Sequence, residues 1–349
     1  MAMHVLARRI LLLTIATTGL GGCGADGGYG GDLGATPGGV KDLNLARSLI
    51  AAGQVPPADA LLVEAMFAEH DLPLDGPPCE TTLCVRGAAG VAPDADGAPR
   101  GWLQLGLSSN VSAAEFERPP TTFIYTVDVS GSMAWTTDPG TDDGYVSPGQ
   151  LSRALMHQLT DELRPDDRVA IVAYGSSVTT VLPPTAGSQR ATIHTAIAGL
   201  RENGSTNMEA GVQRAMAVGT PLVAAGRDTR MVLFTDEQPN VGATGEDAFA
   251  TMVQDGAERG VDTTIFALGL GVGAELLRGM ASWPGANAYS MTNLGEVADF
   301  MQQDAPYYAT PIAYNLRATV GPLAPWSLQR ALGLPTADDG EVDRQARGV

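Results

Sequence analysis

Apolar positions along the chain follow two periods, and the change from one to the other divides it. From Pro119 onward, short unbroken apolar runs alternate with stretches whose apolar residues recur every three or four positions. Phe123 to Val129, Val169 to Tyr174, Met231 to Phe234 and Thr263 to Leu268 read as buried strands, and Ala288 to Ser290 as a short edge strand. Between them Leu151, Leu155, Leu159 and Leu163 line one helical face. Further helices are predicted at Gln189 to Leu200, around Met208, Val212, Ala215 and Met216, and at Glu246 to Arg259, with Phe249, Met252 and Val253 turned inward. Glu275 to Met280 and Val297 to Gln303 complete the set. This alternation predicts an α/β unit over residues 119–309, with a doubly wound, mainly parallel sheet covered on both faces.

The part before it has a different texture. Leu43 to Ala52 and Ala58 to His70 carry helical spacing, ended by Gly53 and Pro73. Leu74 to Gly101 is rich in Pro, Gly and Asp and reads as loop around a cysteine pair. Trp102 to Leu107 alternates as a strand does. Residues 41–118 are therefore expected to form a small α+β module with its own core. Leu316 to Val320 reads as one more strand outside the α/β unit. Residues 310–349 are expected to begin a further domain or to end in a polar, disordered tail from Asp338.

The first residues suggest export. Arg8-Arg9 precedes the apolar run Ile10 to Ala16, too short for a spanning helix of roughly 20 residues, and Leu20-Gly21-Gly22-Cys23 follows. Charged, apolar and small-residue segments in that order predict a signal peptide over residues 1–22. Leu-Gly-Gly-Cys resembles a bacterial lipobox, which makes Cys23 the lipidated first residue of the exported chain. An ordinary secretory peptide with a chance cysteine is the alternative. Residues 23–40, mostly glycine, then read as a tether. The expected location is the cell envelope, lipid-anchored at the outer membrane or the periplasmic face. In that oxidising compartment Cys79 and Cys84 predict a small disulfide, with two free thiols as the alternative.

Composition narrows the partners. The chain of 349 residues is 44% hydrophobic and carries 39 acidic against 21 basic residues, a net charge of −18. Such a surface repels nucleic acid and anionic lipid, so no nucleic-acid role is expected, and membrane contact is expected through the lipid anchor alone.

Candidate chemistry gathers in three loops after predicted strands, where open α/β sheets bind ligands. One is Asp128-Val129-Ser130-Gly131-Ser132-Met133. The second is Gly204-Ser205-Thr206-Asn207, before a helix. The third is Thr235-Asp236-Glu237, ending a strand. Asp-x-Ser-x-Ser alone is a common turn pattern, and each residue could merely cap a helix; the three contexts together are more specific. Asp128, Ser130, Ser132, Thr206 and Asp236 would offer two carboxylate and three hydroxyl oxygens to a hard cation, Mg²⁺ first, with Mn²⁺ or Ca²⁺ as alternatives. No His or Cys lies in these loops, which argues against zinc. With few charged ligands such an ion stays electropositive enough to accept an Asp or Glu from another protein.

These three motifs resemble the metal-ion-dependent adhesion site of von Willebrand factor A domains, over about Pro119 to Ala309. The resemblance implies a Rossmann-like fold, hydroxyl ligation by Ser130, Ser132 and Thr206, and ligation by Asp128 and Asp236 directly or through water. Glu237 departs from the Gly common at that place and adds negative charge. Gly53 to Asp59 with Val63 to Phe67 resembles the module preceding this domain in one group of bacterial lipoproteins. Relatives there carry Arg where this chain has Leu62, and continue into a further C-terminal domain. This chain reads as a shortened member or a truncated gene product.

The function expected is metal-dependent protein binding, as adhesion or scaffold. One rival is a partner subunit of an ATPase-driven complex, which the signal peptide opposes. Another is a scaffold that has lost its metal. An enzyme is not expected: Ser130, His194 and Asp236 have the residue types of a hydrolase triad, but Ser130 lies in no Gly-x-Ser-x-Gly elbow and His194 falls mid-helix. The acidic loop Asp138 to Asp143 reads as solvated, and Gly269-Leu270-Gly271-Val272-Gly273 as a turn rather than a dinucleotide fingerprint.

Overall fold

The computed structural model of the chain describes residues 12–14, 39–40, 43–61, 63–70, 74–111, 116–135, 146–236, 241–242, 246–270, 283, 285–306, 308–309, 317–319, 329 and 343–345. Cys23 and most of the glycine-rich stretch, Glu237, the acidic loop 138–143, Gly271 to Gly273 and the expected helix 275–280 lie outside these residues.

The strands are β1 (Leu12–Thr14), β2 (Gly39–Val40), β3 (Cys84–Pro93), β4 (Pro99–Ser108), β5 (Thr121–Asp128), β6 (Arg168–Tyr174), β7 (Val178–Ala186), β8 (Asp228–Thr235), β9 (Val261–Leu268), β10 (Ala286–Met291), β11 (Arg317–Thr319) and β12 (Asp343–Gln345). The helices are α1 (Asn44–Ala51), α2 (Val63–Glu69), α3 (Pro148–Asp161), α4 (Arg190–Ala198), α5 (Met208–Ala224), α6 (Glu246–Glu258) and α7 (Leu294–Gln303). Seven strands form one sheet in the order β2-β10-β9-β8-β5-β6-β7, and every pair is parallel except β6 with β7.

Alternation along the strands sends apolar side chains to two layers. Phe123, Tyr125 and Val127 of β5, with Val232 and Phe234 of β8, meet Leu151, Leu155 and Leu159 of α3 and Val297 and Phe300 of α7. Ile124, Met231 and Leu233 face the opposite way, onto Met208, Val212 and Ala215 of α5 and Phe249 and Val253 of α6. α3 starts where Ser147 and Gln150 close a reciprocal capping box ahead of the leucine face. At the start of β5, Arg118 pairs with buried Asp167. Burial alone would raise that carboxyl, but the guanidinium and the N–H groups of Thr121 and Arg164 hold it below the usual range.

Four expectations need correcting. β7 was not foreseen, because Pro183 and Pro184 argue against a strand; they are tolerated on an edge paired through shifted register. β3 occupies residues expected to be loop, since its Gly- and Ala-rich sequence carries no apolar alternation of its own. β10 is not the edge: Gly39 and Val40, expected to be tether, pair with Asn287 and Ala288. The N-terminal helices do not build a separate core either. Leu45 and Ala65 join the apolar layer of α5 and α6, and Asn44, Leu45 and Ser48 hydrogen-bond to Ser290 and Thr292 at the end of β10.

β3 and β4 form a separate two-stranded ribbon, and β1, β11 and β12 a three-stranded sheet. β12 lies within the stretch expected to be a disordered tail, and β1 within the expected signal peptide. Among the described residues no helix is long and apolar enough to cross a membrane.

Candidate metal centre

The sheet reverses its winding at β5, which has β6 on one side and β8, reached later in the chain, on the other. Residues just past the carboxyl ends of β5 and β8 therefore border the crevice where the connections part. Asp128 is the last residue of β5, and Asp236 directly follows β8. Both are buried.

The turn after β5 folds around Asp128. Its Oδ1 accepts from the Ser130 N–H at 2.8 Å, and its Oδ2 accepts from the Thr235 hydroxyl at 3.3 Å. Ser130 Oγ then lies 3.0 Å from Ser132 Oγ, and the Ser132 hydroxyl donates to Asp236 Oδ1 at 3.2 Å. Ser132 opens a 3₁₀ turn (Ser132–Ala134) whose Met133 is fully buried, so the turn is pinned from below.

Thr206 is buried in the neighbouring loop. Two backbone bonds lace that loop to the β5 turn: Asn203 N–H to Val129 O at 2.6 Å, and Gly131 N–H to Gly204 O at 2.9 Å. The Thr206 carbonyl accepts from Val241 N–H at 3.2 Å, which ties in the segment after β8 as well. Gly204 has φ +90, and a Cβ there would sit 2.2 Å from Ser176 Oγ, so glycine is required. Asn207 ends the loop by capping α5, accepting from Ala210 N–H at 3.1 Å.

The structure thus joins Asp128, Ser130, Ser132 and Asp236 in one short network and fastens the Thr206 loop to it through the backbone. Two further residues belong to the network that the sequence did not single out. Thr235 bonds to Asp128, and its place before Asp236 was the available signal. Tyr174, buried at the end of β6, reaches Phe234 O at 3.5 Å. Burial, and then the Asp128 charge with that of Asp236, pushes its phenol well above the ordinary value. No sequence pattern marks it, because it reads simply as the last apolar residue of a strand.

The donor set suits a hard cation. Octahedral oxygens at 2.0–2.1 Å from a Mg²⁺ ion stand about 2.9 Å apart along each edge, and these oxygens, hydrogen-bonded at 3.0 and 3.2 Å, already lie close to that edge. Two buried carboxylates in one crevice also favour a compensating positive charge. Among the described residues no three of His, Cys, Asp and Glu gather as a metal-binding group.

The other expected chemistry lies elsewhere. His194 is not beside Ser130: its Nδ1 lies 2.6 Å from His157 Nδ1 and its Nε2 3.0 Å from Asp161, between α3 and α4. Cys79 and Cys84 are joined by a disulfide with Cα atoms 5.8 Å apart.

The family model of the von Willebrand factor type A domain matches residues 124–303, just over half of the chain. The protein YfbK of Escherichia coli (strain K12) is 28% identical over 228 residues, which make up 64% of this chain and 38% of that protein. The chain thus spans well under half the length of this relative. Among solved structures, a von Willebrand factor type A protein from Catenulispora acidiphila is 15% identical with a TM-score of 0.46, over 68% of this chain and 49% of its own. Proximal thread matrix protein 1 from the mussel byssus is 17% identical with a TM-score of 0.43, over 55% of this chain and 46% of its own.

Proposed function

Because the chain belongs to the von Willebrand factor type A domain family, we propose that it is a protein-binding module that engages its partner through one divalent cation. Asp128, Ser130, Ser132, Thr206 and Asp236 would hold that ion, Mg²⁺ first with Mn²⁺ or Ca²⁺ as alternatives. The observation that carries the reading is the bridge from Ser130 through Ser132 to Asp236, which joins the two loops close to octahedral-edge spacing. The bound ion would supply a Lewis-acidic position for an Asp or Glu carboxylate of the partner. The chain's own residues do the rest. Asp128 is oriented by Ser130 N–H and Thr235, Met133 anchors the 3₁₀ turn, and Gly204 lets the Thr206 loop lie against Gly131.

The lipobox-like Cys23 and the glycine-rich stretch after it support presentation of this module from a membrane surface of the cell envelope. The acidic surface would keep it off anionic lipid and leave the metal face as the one inviting a carboxylate.

Water-proton relaxation tests the function with Mn²⁺ as the metal and N-acetyl-glutamate amide as the probe. One Mn²⁺ should bind per chain, and the probe should lower the relaxivity of the complex by displacing a metal-bound water. Asp236→Ala should lose both effects. One bound Mn²⁺ whose relaxivity ignores the probe would contradict the carboxylate-docking role.

A further inference from the structure

The ribbon of β3 and β4 exposes an apolar face that the described residues leave largely open beyond half-buried Val85 and Leu107. Directly paired residues share a face of an antiparallel ribbon, so Val85, Gly87, Ala89 and Val91 of β3 lie beside Leu107, Leu105, Leu103 and Gly101 of β4. No polar side chain interrupts this face. The other face carries Arg86, Gln104, Arg100 and Trp102, and the segment before β3 covers its base. Arg86 donates to Leu74 O at 3.2 Å and to Pro77 O at 2.9 Å, the Cys79–Cys84 disulfide closes the corner, and Leu74 sits against Gly106. That cover reaches only the base of the polar face, where Arg86 is half-buried; Gln104, Arg100 and Trp102 further out are exposed. On the apolar face Val91 is 65% exposed, Leu103 50% and Leu105 39%. A two-stranded ribbon is marginal in water without a partner for its apolar side.

The relief and charge of this face point to its occupant. β4 presents a ridge, Leu103 and Leu105, while β3 beside it presents a trough, Ala89 and Gly87. Turning a second ribbon by half a rotation about the long axis lays the ridge of each copy over the trough of the other, the self-complementarity that a two-fold contact needs. The ribbon holds Arg86 and Arg100 against Asp94 and Asp96 and is locally neutral, in a chain whose net charge is −18. Two copies can therefore meet here without the repulsion that opposes approach elsewhere. We propose that the β3–β4 ribbon is a self-association surface, packing apolar face to apolar face with a second copy of this chain.

The face is small. Ten residues at about 3.4 Å each, across a width of about 10 Å, give a footprint of about 350 Å² per copy, below the size of permanent interfaces. The dimer is therefore weak and concentration-dependent. Salt strengthens it, by screening the acidic bodies while leaving the apolar contact in place.

Sedimentation velocity on the full chain carrying Cys23→Ser, which takes no lipid, tests this from about 1 to 300 µM, a range chosen to bracket that weak affinity. A monomer–dimer equilibrium that tightens with added salt and weakens at least tenfold in Leu103→Lys is expected. Leu103 is half exposed, so that substitution leaves the fold intact, and circular dichroism checks it. Register is read by mixing an Ala89→Cys chain with a Leu103→Cys chain under mild oxidation: the mixed disulfide should exceed either self-disulfide. A monomer throughout the range overturns the proposal. So does a dimer indifferent to Leu103→Lys, which would place the contact elsewhere, or self-disulfides that form as readily as the mixed one.

Discussion

The Ser132 hydroxyl donates to Asp236 Oδ1 at 3.2 Å, a bond between residues 104 positions apart. It fastens the turn after β5 to the end of β8, the two strands that flank the reversal of the sheet. Ser132→Ala removes the bridge and one proposed hydroxyl ligand while leaving the buried turn anchor Met133 untouched. Mn²⁺ affinity measured by calorimetry should fall at least tenfold, with little change in the unfolding midpoint of the metal-free protein. Equal affinity in the two proteins would remove Ser132 from the site.

Thr235 acts one step further out, since its hydroxyl donates to Asp128 Oδ2 at 3.3 Å. Thr235→Val keeps the shape of a buried strand residue and deletes that bond. Partners that orient a metal ligand typically contribute 10–100-fold to affinity, so a loss of about tenfold is expected in the same titration. An unchanged constant would mean that Ser130 N–H alone orients the carboxylate.

Gly204→Ala places a side chain at φ +90 and within 2.2 Å of Ser176 Oγ. Strain of this kind costs about 1–3 kcal/mol. The urea midpoint should fall accordingly, and metal affinity should fall too, because the Thr206 loop loses its backbone bond to Gly131. A stable variant with full affinity would show that the loop is not held by that close approach.

His157 has its pKa lowered, first by burial and then by the neighbouring His194, with Arg153 acting the same way and Asp161 opposing. The unfolded chain therefore takes up this proton more readily, and the contribution to stability is present above the ordinary histidine value near 6.5. It is lost as pH falls through that value toward the depressed one. Urea midpoints at pH 7.5 and 5.5 should show the native chain losing more on acidification than His157→Gln. Parallel losses would contradict the half-buried, neutral state of this ring.

Arg230 is fully buried near the start of β8, where its guanidinium donates to Thr264 Oγ1 at 2.9 Å and to Ala309 O at 3.1 Å. It holds the chain leaving α7 against the sheet. Arg230→Met should speed hydrogen exchange in the last turn of α7 at least tenfold, while α5 keeps its protection. Unchanged exchange at Phe300 to Gln303 would assign that anchoring to other contacts, such as the stacking of Tyr308 on Phe123.

The parallel sheet was legible because β5, β6, β8 and β9 are buried on both faces, which leaves unbroken apolar runs. The candidate site residues stood out for a related reason: Asp128 and Asp236 interrupt such runs at their carboxyl ends, where a charge has no packing purpose. What stayed hidden lacked a local signal. β7 carries two prolines that only its edge position accommodates, and β3 takes its apolar character from its pairing with Leu103, Leu105 and Leu107. Gly39 and Val40 join the sheet through a contact nearly 250 residues away. Tyr174 and Thr235 act through carboxylates that only folding brings near them.

The central claim, that these five residues hold a divalent cation, is tested most directly by thermal unfolding of the full chain in Mg²⁺ and in EDTA, beside Asp128→Ala. At a hundredfold excess over the dissociation constant, binding adds about 2.7 kcal/mol, a rise in Tm of roughly 5–10 °C for a domain of this size. The rise is expected in the native chain and not in Asp128→Ala. No rise at millimolar Mg²⁺ or Mn²⁺, or the same rise in both proteins, would contradict it.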